Sequence, residues 1–300
     1  EPQSKKEIKV INPATEENSA VITLGNKDDV DHAVSSAKKA YETWAYSLKE
    51  ERIKLLEKLY ENYKKRWADI SEAITTEMGA PKDFATKLQV GTGAAHIKSF
   101  IRHLKNFEFE KPLGDHAPNQ RLLYEPKGVC ALITPWNWPL MITIWHVIPA
   151  LREGNTVVLK PSEYTPVAVT RFAELVNEIL PAGVLNLVLG AGEVGSAIAS
   201  HTGIDKVVFT GSSRTGRRVM ESASTNLKRL TLELGGNDAG IVLPDIDVEA
   251  MAPKKDTMPY NSTPQAFRES MKRKVAMTAL KRPSALVVKE HVFKTGNGFV

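Results

Sequence analysis

Short apolar runs alternate with helical patterns through the middle of the chain, from residue 128 to residue 234. The apolar runs are bounded by turn signals and predict buried strands at 129–133, 156–159, 184–189, 206–209 and 229–234. The stretches between them predict helices over 140–152, 165–180, up to about residue 200, and 215–225. Repeated βα units of this length predict an α/β fold with a doubly wound parallel sheet. Such sheets bind ligands at the carboxyl ends of their strands.

A different pattern, with apolar positions at helical spacing, fills the first hundred residues. It follows an extended segment at 7–24 and predicts helices over 28–44, 50–67, 69–78 and 81–106. Asp28 or Asp29 is the expected N-cap of the first helix, and Gly79 is expected to end the third. Residues 107–126 lose the helical period, and 121–124 before Pro126 is typical of a strand.

Composition narrows the class of protein. Of 300 residues, 42% are hydrophobic and 25% are charged, which is typical of a soluble globular chain with a sizeable core. No apolar run is long enough to cross a bilayer, so no membrane association is expected, and no metal site is predicted. The single cysteine, Cys130, excludes an internal disulfide framework and suits the cytoplasm. Its place inside a predicted strand is typical of a buried hydrophobe.

The net charge of +5 is concentrated at one end of the chain. Residues 251–300 hold 10 Lys/Arg and 3 Asp/Glu, which leaves 30 basic and 32 acidic residues in 1–250. A basic tail could contact phosphates. Because these charges do not alternate with aromatic residues in a regular pattern, we interpret the tail as a solvated segment and expect no nucleic-acid partner.

The stretch from Lys206 to Gly240 contains the strongest candidate for ligand binding. An apolar strand runs into Thr210-Gly211-Ser212-Ser213, where small residues and hydroxyls fit the start of a helix. A strand that leads into a helix N-terminus directs N–H groups and a positive dipole end at one point, which suits a phosphate. The next apolar run carries one carboxylate, Glu233, and stops at Gly235-Gly236. Glu233 is therefore a candidate general base.

Four motifs occur in order along the chain. They are Pro135-Trp136-Asn137-Trp138-Pro139, Lys160-Pro161-Ser162-Glu163, Phe209-Thr210-Gly211-Ser212 and Leu232-Glu233-Leu234-Gly235-Gly236. In this order and approximate spacing they resemble the NAD(P)-dependent aldehyde dehydrogenase superfamily over roughly residues 8–250. The resemblance implies a Rossmann-like NAD-binding domain over 1–234, with N-terminal helices and an oligomerisation arm at about 107–126. Residues 235–300 are then expected to be a truncated or rearranged start of the catalytic domain.

Two glycine-rich turns are candidates for binding the cofactor phosphates. The turn Gly190-Ala191-Gly192-Glu193-Val194-Gly195 has the G-x-G-x-x-G spacing of a dinucleotide site, but it follows the third strand of the run rather than the first. In the resembling family the helix after the Phe-Thr-Gly-Ser motif faces the pyrophosphate. We therefore assign the phosphates to Gly211 and Ser212 and the adenosine side to Gly192 and Gly195. Either turn could instead be a plain strand-to-helix connection.

Lys160 and Glu163 favour NAD as the cofactor. A carboxylate just past the second strand accepts hydrogen bonds from both adenosine-ribose hydroxyls and repels a 2′-phosphate, and the lysine can donate to the same ribose. Alternatively, 161–163 only caps the following helix. The residues expected to bind NAD are Ile133, Thr134, Pro135, Trp136, Lys160, Ser162, Glu163, Gly192, Gly195, Phe209, Thr210, Gly211, Ser212, Gly216, Leu234 and Gly235.

The resemblance also implies a reaction, the oxidation of a small-molecule aldehyde to a carboxylic acid with NAD. A cysteine thiolate attacks the aldehyde, hydride passes to NAD, and a base-activated water hydrolyses the thioester. By resemblance Glu233 is the base and Asn137 donates its side-chain N–H to the oxyanion, although the loop that carries Asn137 could serve packing alone. Residues 251–300 contain no cysteine, and Met277 stands at the aligned position. The alternative function is therefore a non-catalytic NAD-binding or structural protein.

The predicted arm bears on quaternary structure. Members of the resembling family are homo-oligomers in which such an arm pairs with a C-terminal strand. The sequence after residue 250 does not resemble that part of the family. We therefore expect this chain to be a monomer or an ill-defined aggregate, because an unpaired strand edge is open to non-native pairing.

Overall fold

The computed structural model describes residues 2–236, 239–242 and 286–289. The chain divides into two units, Glu1–Leu234 and Gly235–Val300. In the described part of the second unit, β10 (Ala239–Val242) pairs antiparallel with β11 (Leu286–Lys289). Met277, like most of the tail, lies outside the described residues.

The first unit begins with a two-stranded sheet and a group of helices. These elements are β1 (Glu7–Ile11), β2 (Asn18–Thr23), α1 (Lys27–Trp44), α2 (Lys49–Lys65), α3 (Trp67–Met78), a π-helical segment (Phe84–Val90) and α4 (Gly91–Asn106). The arm follows as the antiparallel pair β3 (Glu110–Pro112) and β4 (Arg121–Leu123). The sequence predicts β4 and misses β3.

A five-stranded parallel sheet forms the centre of the first unit. Its strands and the helices between them are β5 (Val129–Ile133), α5 (Pro139–Arg152), β6 (Thr156–Lys160), α6 (Val167–Asn177), β7 (Leu185–Leu187), α7 (Gly192–Ser200), β8 (Lys206–Gly211), α8 (Ser213–Ala223), a short 3₁₀ turn (Ser224–Asn226) and β9 (Arg229–Leu234). The strand order is β7-β6-β5-β8-β9. The predicted α/β fold with a doubly wound parallel sheet is confirmed.

Two hydrophobic clusters cover the two faces of this sheet. Alternate residues of β5 point to opposite faces, as the strand period of two requires. Cys130 and Leu132 join the cluster that contains apolar residues of α2 to α6, whereas Val129, Ala131 and Ile133 join the cluster formed with α1, α7 and α8. Because both faces are covered, the strand has no solvent-exposed positions, which explains its uninterrupted apolar sequence.

Local capping chemistry sets the helix boundaries, and the structure corrects two of the predicted helices. Asn26, rather than Asp28 or Asp29, caps α1, and Asp29 completes a reciprocal capping box with it. Gly79 ends α3 as predicted; its φ is 68° and an added Cβ would lie 2.7 Å from Cγ of Pro13. The helix predicted over 81–106 is instead a π-helical segment followed by α4.

Candidate functional site

The carboxyl ends of β5 and β8 lie side by side, at the point where the strand order of the parallel sheet reverses. From β5 the chain builds outward through β6 to β7, and it then returns to place β8 on the other side of β5. In register, Ile133 pairs with Lys160 on one side and with Phe209 on the other. This is the topological switch point at which doubly wound sheets bind ligands. The loops after β5, β6 and β8 therefore border one crevice.

Lys160 is a buried cation at this edge. Its side chain is 6% exposed, and its Nζ donates to the carbonyl oxygen of Pro161 at 2.8 Å and lies 3.5 Å from Oε2 of Glu163. Burial lowers the pKa of Lys160, and the Glu163 carboxylate opposes that shift. Ser162 is buried, and its Oγ accepts from the Tyr164 N–H at 3.3 Å. The Ser162 hydroxyl thus stabilises a local turn.

The reading of 161–163 as a helix cap is wrong. Helix α6 begins at Val167, and the N–H groups of Val167 and Ala168 donate to Glu77 at 2.6 and 3.0 Å. Glu77 lies on α3 and is 3% exposed. A carboxylate from a distant helix therefore caps α6, which leaves Glu163 available at the crevice.

The loop after β5, residues 134–138, is held from several directions and is called the β5 loop below. Thr134 N–H donates to the Lys160 carbonyl at 3.0 Å, and its Oγ1 lies 3.2 Å from Oγ1 of Thr143. The Thr143 hydroxyl already donates to the carbonyl of Pro139, so Thr134 is the donor between the two hydroxyls. Thr165 Oγ1 donates to the Trp136 carbonyl at 3.4 Å.

Asn137 is half-buried in the same loop. Its carbonyl oxygen accepts from Nε2 of Gln89 at 3.0 Å. The next residue, Trp138, packs edge-to-face against Phe84 with ring centroids 5.2 Å apart. A side-chain hydrogen bond from Gln89 and an aromatic contact from Phe84 thus support the loop that carries the candidate oxyanion donor.

The β8–α8 turn presents a capped helix N-terminus at the crevice. Ser212 is the N-cap of α8, and its Oγ accepts from the Thr215 N–H at 3.2 Å. Gly211 allows close packing, because a Cβ there would lie 2.6 Å from the Phe209 ring. The Phe209 side chain is 5% exposed and belongs to the core, as does that of Ile133. These two residues can offer only backbone atoms to a ligand.

Glu233 and Leu234 lie at the end of β9, beside β8. Thr210 pairs with Glu233 and Gly211 with Leu234. Both side chains at the end of β9 are exposed. A Cβ at Gly216 would lie 2.5 Å from Cδ2 of Leu234, so glycine at this position lets Leu234 rest on α8. Gly235 follows in the chain and belongs to the second unit.

Gly192 and Gly195, the second and third glycines of the G-x-G-x-x-G turn, lie in the first turn of α7. A Cβ on Gly192 would meet no atom within 4 Å, and one on Gly195 would lie 3.8 Å from Cδ of Lys160. The turn follows β7, the strand at the edge of the sheet, two strands away from the switch point. It therefore lies on the Lys160 side of the crevice.

His146 and Gln89 contact this region, and the sequence predicted neither of them as a site residue. Nε2 of His146 on α5 is hydrogen-bonded to Oγ1 of Thr210 at 2.9 Å. Burial lowers the pKa of His146 to about 4, with a further contribution from Lys206. His146 lies in α5 and Gln89 in the π-helical segment, and neither belongs to a sequence motif that would distinguish it from a packing residue.

Cys130, the candidate buried hydrophobe, is 3% exposed. Burial raises the pKa of its thiol to about 12. The prediction that Cys130 is a core residue is confirmed. Within the described ranges, no group of three His, Cys, Asp or Glu residues could hold a metal ion, and none of the helices has the length and apolar composition to span a membrane.

The geometry and motif order agree with the comparisons to known proteins. The sequence profile of the Aldehyde dehydrogenase family matches residues 1–258. The chain belongs to the aldehyde dehydrogenase family. The resemblance predicted over residues 8–250 is thereby confirmed.

Two relatives are each similar to about five-sixths of this chain. The chain is 43% identical over 251 residues to 3-succinoylsemialdehyde-pyridine dehydrogenase of a Pseudomonas species, covering 83% of this chain and 52% of that protein. An aldehyde dehydrogenase from Bartonella henselae superposes with a TM-score of 0.82 at 44% identity, over 84% of this chain and 53% of the other. The chain spans about half the length of the relatives it matches.

A further relative was crystallised with ligands. A variant of aldehyde dehydrogenase C (AldC) from Pseudomonas syringae, determined with NAD+ and octanal, superposes with a TM-score of 0.81 at 42% identity. The match covers 84% of this chain and 52% of that one. The family match therefore rests on both the sequence and the arrangement of helices and strands.

Proposed function

We propose that this chain binds NAD in the crevice between the carboxyl ends of β5 and β8. The observation that carries the proposal is the placement of the Ser212-capped α8 N-terminus at the same sheet edge as the Lys160–Glu163 pair. A helix N-terminus suits a pyrophosphate, and a paired lysine and carboxylate suit ribose hydroxyls. AldC of Pseudomonas syringae, which is similar to this chain, was crystallised with NAD+.

The residues present fit a dinucleotide. The start of α7 offers open space, because a Cβ on Gly192 would meet nothing within 4 Å. Gly195 borders Lys160 without filling the space beside it. We assign the pyrophosphate to Gly211 and Ser212 because β8 adjoins the switch point, whereas the G-x-G-x-x-G turn follows the edge strand. Gly192 and Gly195 are assigned to the adenosine side.

The remaining predicted contacts fall into two groups. The β5 loop residues Thr134, Pro135 and Trp136 would line the nicotinamide side of the crevice, together with backbone atoms of Ile133. On the opposite side the proposal includes Phe209 and Thr210 by their backbone, and Gly216, Leu234 and Gly235 near the end of β9. Ser162 contributes by shaping the turn that presents Glu163.

In the whole protein, we infer oxidation of an aldehyde to a carboxylic acid. Bound NAD supplies the hydride acceptor. The exposed Glu233 carboxylate can accept a proton from water, and the Asn137 side chain can donate to a developing oxyanion. The first unit would then be the NAD-binding domain, and Gly235–Val300 the start of a catalytic domain, into which the family match continues as far as residue 258.

A second candidate is a non-catalytic NAD-binding protein. It is favoured by the burial and raised pKa of Cys130, the single cysteine of the chain. A thiol that remains protonated inside a strand cannot attack an aldehyde. The same cysteine content supports a reducing location such as the cytoplasm.

Calorimetric titration of the full chain with NAD and with NADP tests the proposal. We expect saturable binding of NAD and weaker binding of NADP. Glu163→Gln should lower the ratio of NAD affinity to NADP affinity about five-fold, because it removes the charge that repels a 2′-phosphate. Glu178→Gln, an exposed carboxylate after α6, is the matched control. Equal affinity for both nucleotides, or binding of neither, would rule the proposal out.

A further inference from the structure

Gln89 makes a contact that crosses 48 residues of sequence. It lies in the π-helical segment Phe84–Val90 and is 0% exposed. Its Nε2 donates to the carbonyl oxygen of Asn137 at 3.0 Å and lies 3.5 Å from Sδ of Met78. Turns of π-helix are rare in proteins and are frequent at functional sites.

The orientation of the Gln89 amide follows from its partners. A backbone carbonyl only accepts, so the nitrogen of the amide must face Asn137. The opposite atom, Oε1, is buried and has no hydrogen-bond partner among the described residues. Burying an unsatisfied acceptor destabilises a fold. An apolar side chain of similar volume would avoid that cost, so the amide is not explained by stability alone.

The π-helical segment is itself fixed at both ends. At its end, the Tyr63 hydroxyl donates to the carbonyl of Val90 at 3.0 Å, and Tyr63 is fully buried. At its start, Phe84 packs against Trp138 of the β5 loop. Gln89 therefore projects from a rigid support and fixes the peptide plane that follows Asn137. The direction of the Asn137 side chain depends on that backbone.

We propose that Gln89 is a positioning residue that holds the β5 loop in its ligand-competent conformation. Its donor keeps the Asn137 carbonyl turned toward the π-helical segment, so that the Asn137 side chain and Trp136 keep their places at the crevice. This role rests on the proposed function of the crevice. It adds a residue to the site that touches neither substrate nor cofactor.

Amide hydrogen exchange of the full chain tests the role directly. Gln89→Met keeps the volume and removes the donor, so exchange in the β5 loop should rise about ten-fold while β6 stays protected. Met78→Leu removes the other contact of the Gln89 amide and should leave loop exchange unchanged. Wild-type exchange in Gln89→Met, or an equal rise in Met78→Leu, would overturn the proposal.

A third variant separates hydrogen bonding from packing. The side chain in Gln89→Glu can donate to the Asn137 carbonyl when protonated and cannot when ionised. Loop protection, corrected for the intrinsic pH dependence of exchange, should therefore be near wild type at low pH and fall as pH rises. Loop protection that does not depend on pH would overturn the proposal. The Gln89→Glu experiment decides the question if Gln89→Met does not fold.

Calorimetry links the positioning role to ligand binding. Gln89→Met should weaken NAD binding about three- to ten-fold, whereas Met78→Leu should not. Unchanged NAD affinity in Gln89→Met would overturn the link between the loop and the ligand. If the wild-type chain binds no NAD, the proposed function fails, and the exchange experiment still decides whether Gln89 holds the loop.

Discussion

Nε2 of His146 and Oγ1 of Thr210 lie 2.9 Å apart and join α5 to the carboxyl end of β8. Thr210 stands opposite Glu233 in the parallel register, so this bond ends beside the candidate base. Because burial lowers the pKa of His146 to about 4, the imidazole is neutral at physiological pH. The contact is therefore a hydrogen bond between neutral groups in the wall of the crevice.

His146 should make the protein sensitive to acid. The unfolded chain takes up a proton on this histidine near pH 6.5, whereas the folded chain does so only near pH 4. Stability from this group is thus complete above about pH 6.5 and is lost as pH falls toward 4, by roughly 3 kcal/mol in total. His146→Gln should abolish that loss in urea unfolding between pH 7 and 4.5. The exposed His103→Gln is the control, and equal pH slopes for wild type and His146→Gln would contradict the expectation.

Glu77 should have the opposite pH dependence. Burial raises the pKa of its carboxyl to about 7, against the two N–H donors of α6. Its stabilising contribution is complete below the unfolded value near 4.5 and is lost as pH rises through 7, by roughly 3 kcal/mol. Between pH 4.5 and 6.5 the contribution of Glu77 to the unfolding free energy falls with pH, whereas that of His146 rises. The two contributions therefore partly cancel in the wild type.

Glu77→Gln separates the two groups. The variant loses one acceptor at the start of α6, which costs about 1–3 kcal/mol at every pH. Its unfolding free energy should then rise with pH between 4.5 and 6.5, because only the His146 contribution remains. Urea unfolding at four pH values measures this slope. A Glu77→Gln profile parallel to that of the wild type would show that Glu77 does not titrate in this range.

Ser212 is expected to act both as a helix cap and as a phosphate ligand. Ser212→Ala should cost about 1 kcal/mol of stability and weaken NAD binding. Ser212→Asp should restore the cap but weaken NAD binding further, because a carboxylate repels the pyrophosphate. Asn26→Ala removes the capping box of α1 and should lower stability without changing NAD affinity. Tight NAD binding by Ser212→Asp would exclude a phosphate at this turn.

Aldehyde oxidation by this chain is expected to be negligible. The single thiol is buried and has a pKa raised to about 12, so covalent catalysis through it has no accessible thiolate. Formation of NADH from a short aliphatic aldehyde, followed by absorbance, measures this. Steady turnover that Glu233→Ala abolishes would contradict the prediction. Loss of that turnover in a folded Cys130→Ser variant would in addition refute the structural role of Cys130.

The arm is expected to leave the chain monomeric or aggregated without a defined state. Within the described residues, β3 and β4 form a two-stranded sheet, with an exposed Leu123 in β4 and an exposed Leu113 directly after β3. Open strand edges with apolar side chains favour non-native pairing. Light scattering across a concentration series measures the assembly. A discrete tetramer would show that the arm finds an ordered partner.

Local patterns predicted most elements of the first unit. Apolar runs such as 129–133 are buried on both faces, and Ser212 caps α8 as its hydroxyl and position suggest. The order of the motifs predicted the family. The errors are the cap of α1, where two local signals were similar, the segment 84–90, where a helix changed its hydrogen-bonding period, and the three-residue strand β3, which is too short to show a period.

The sequence by itself determined most of the segments that form strands and helices, which residues can cap or donate, and which family the chain resembles, because these properties depend on neighbours a few positions away. Only the tertiary structure decided which strands are adjacent and which distant side chains meet. The contacts of Glu77 with α6, of Gln89 with Asn137 and of His146 with Thr210 span 48 to 91 residues. Such contacts are set by the packing of helices on the two faces of the sheet. No periodicity within one segment encodes them, because each depends on where another segment has been placed.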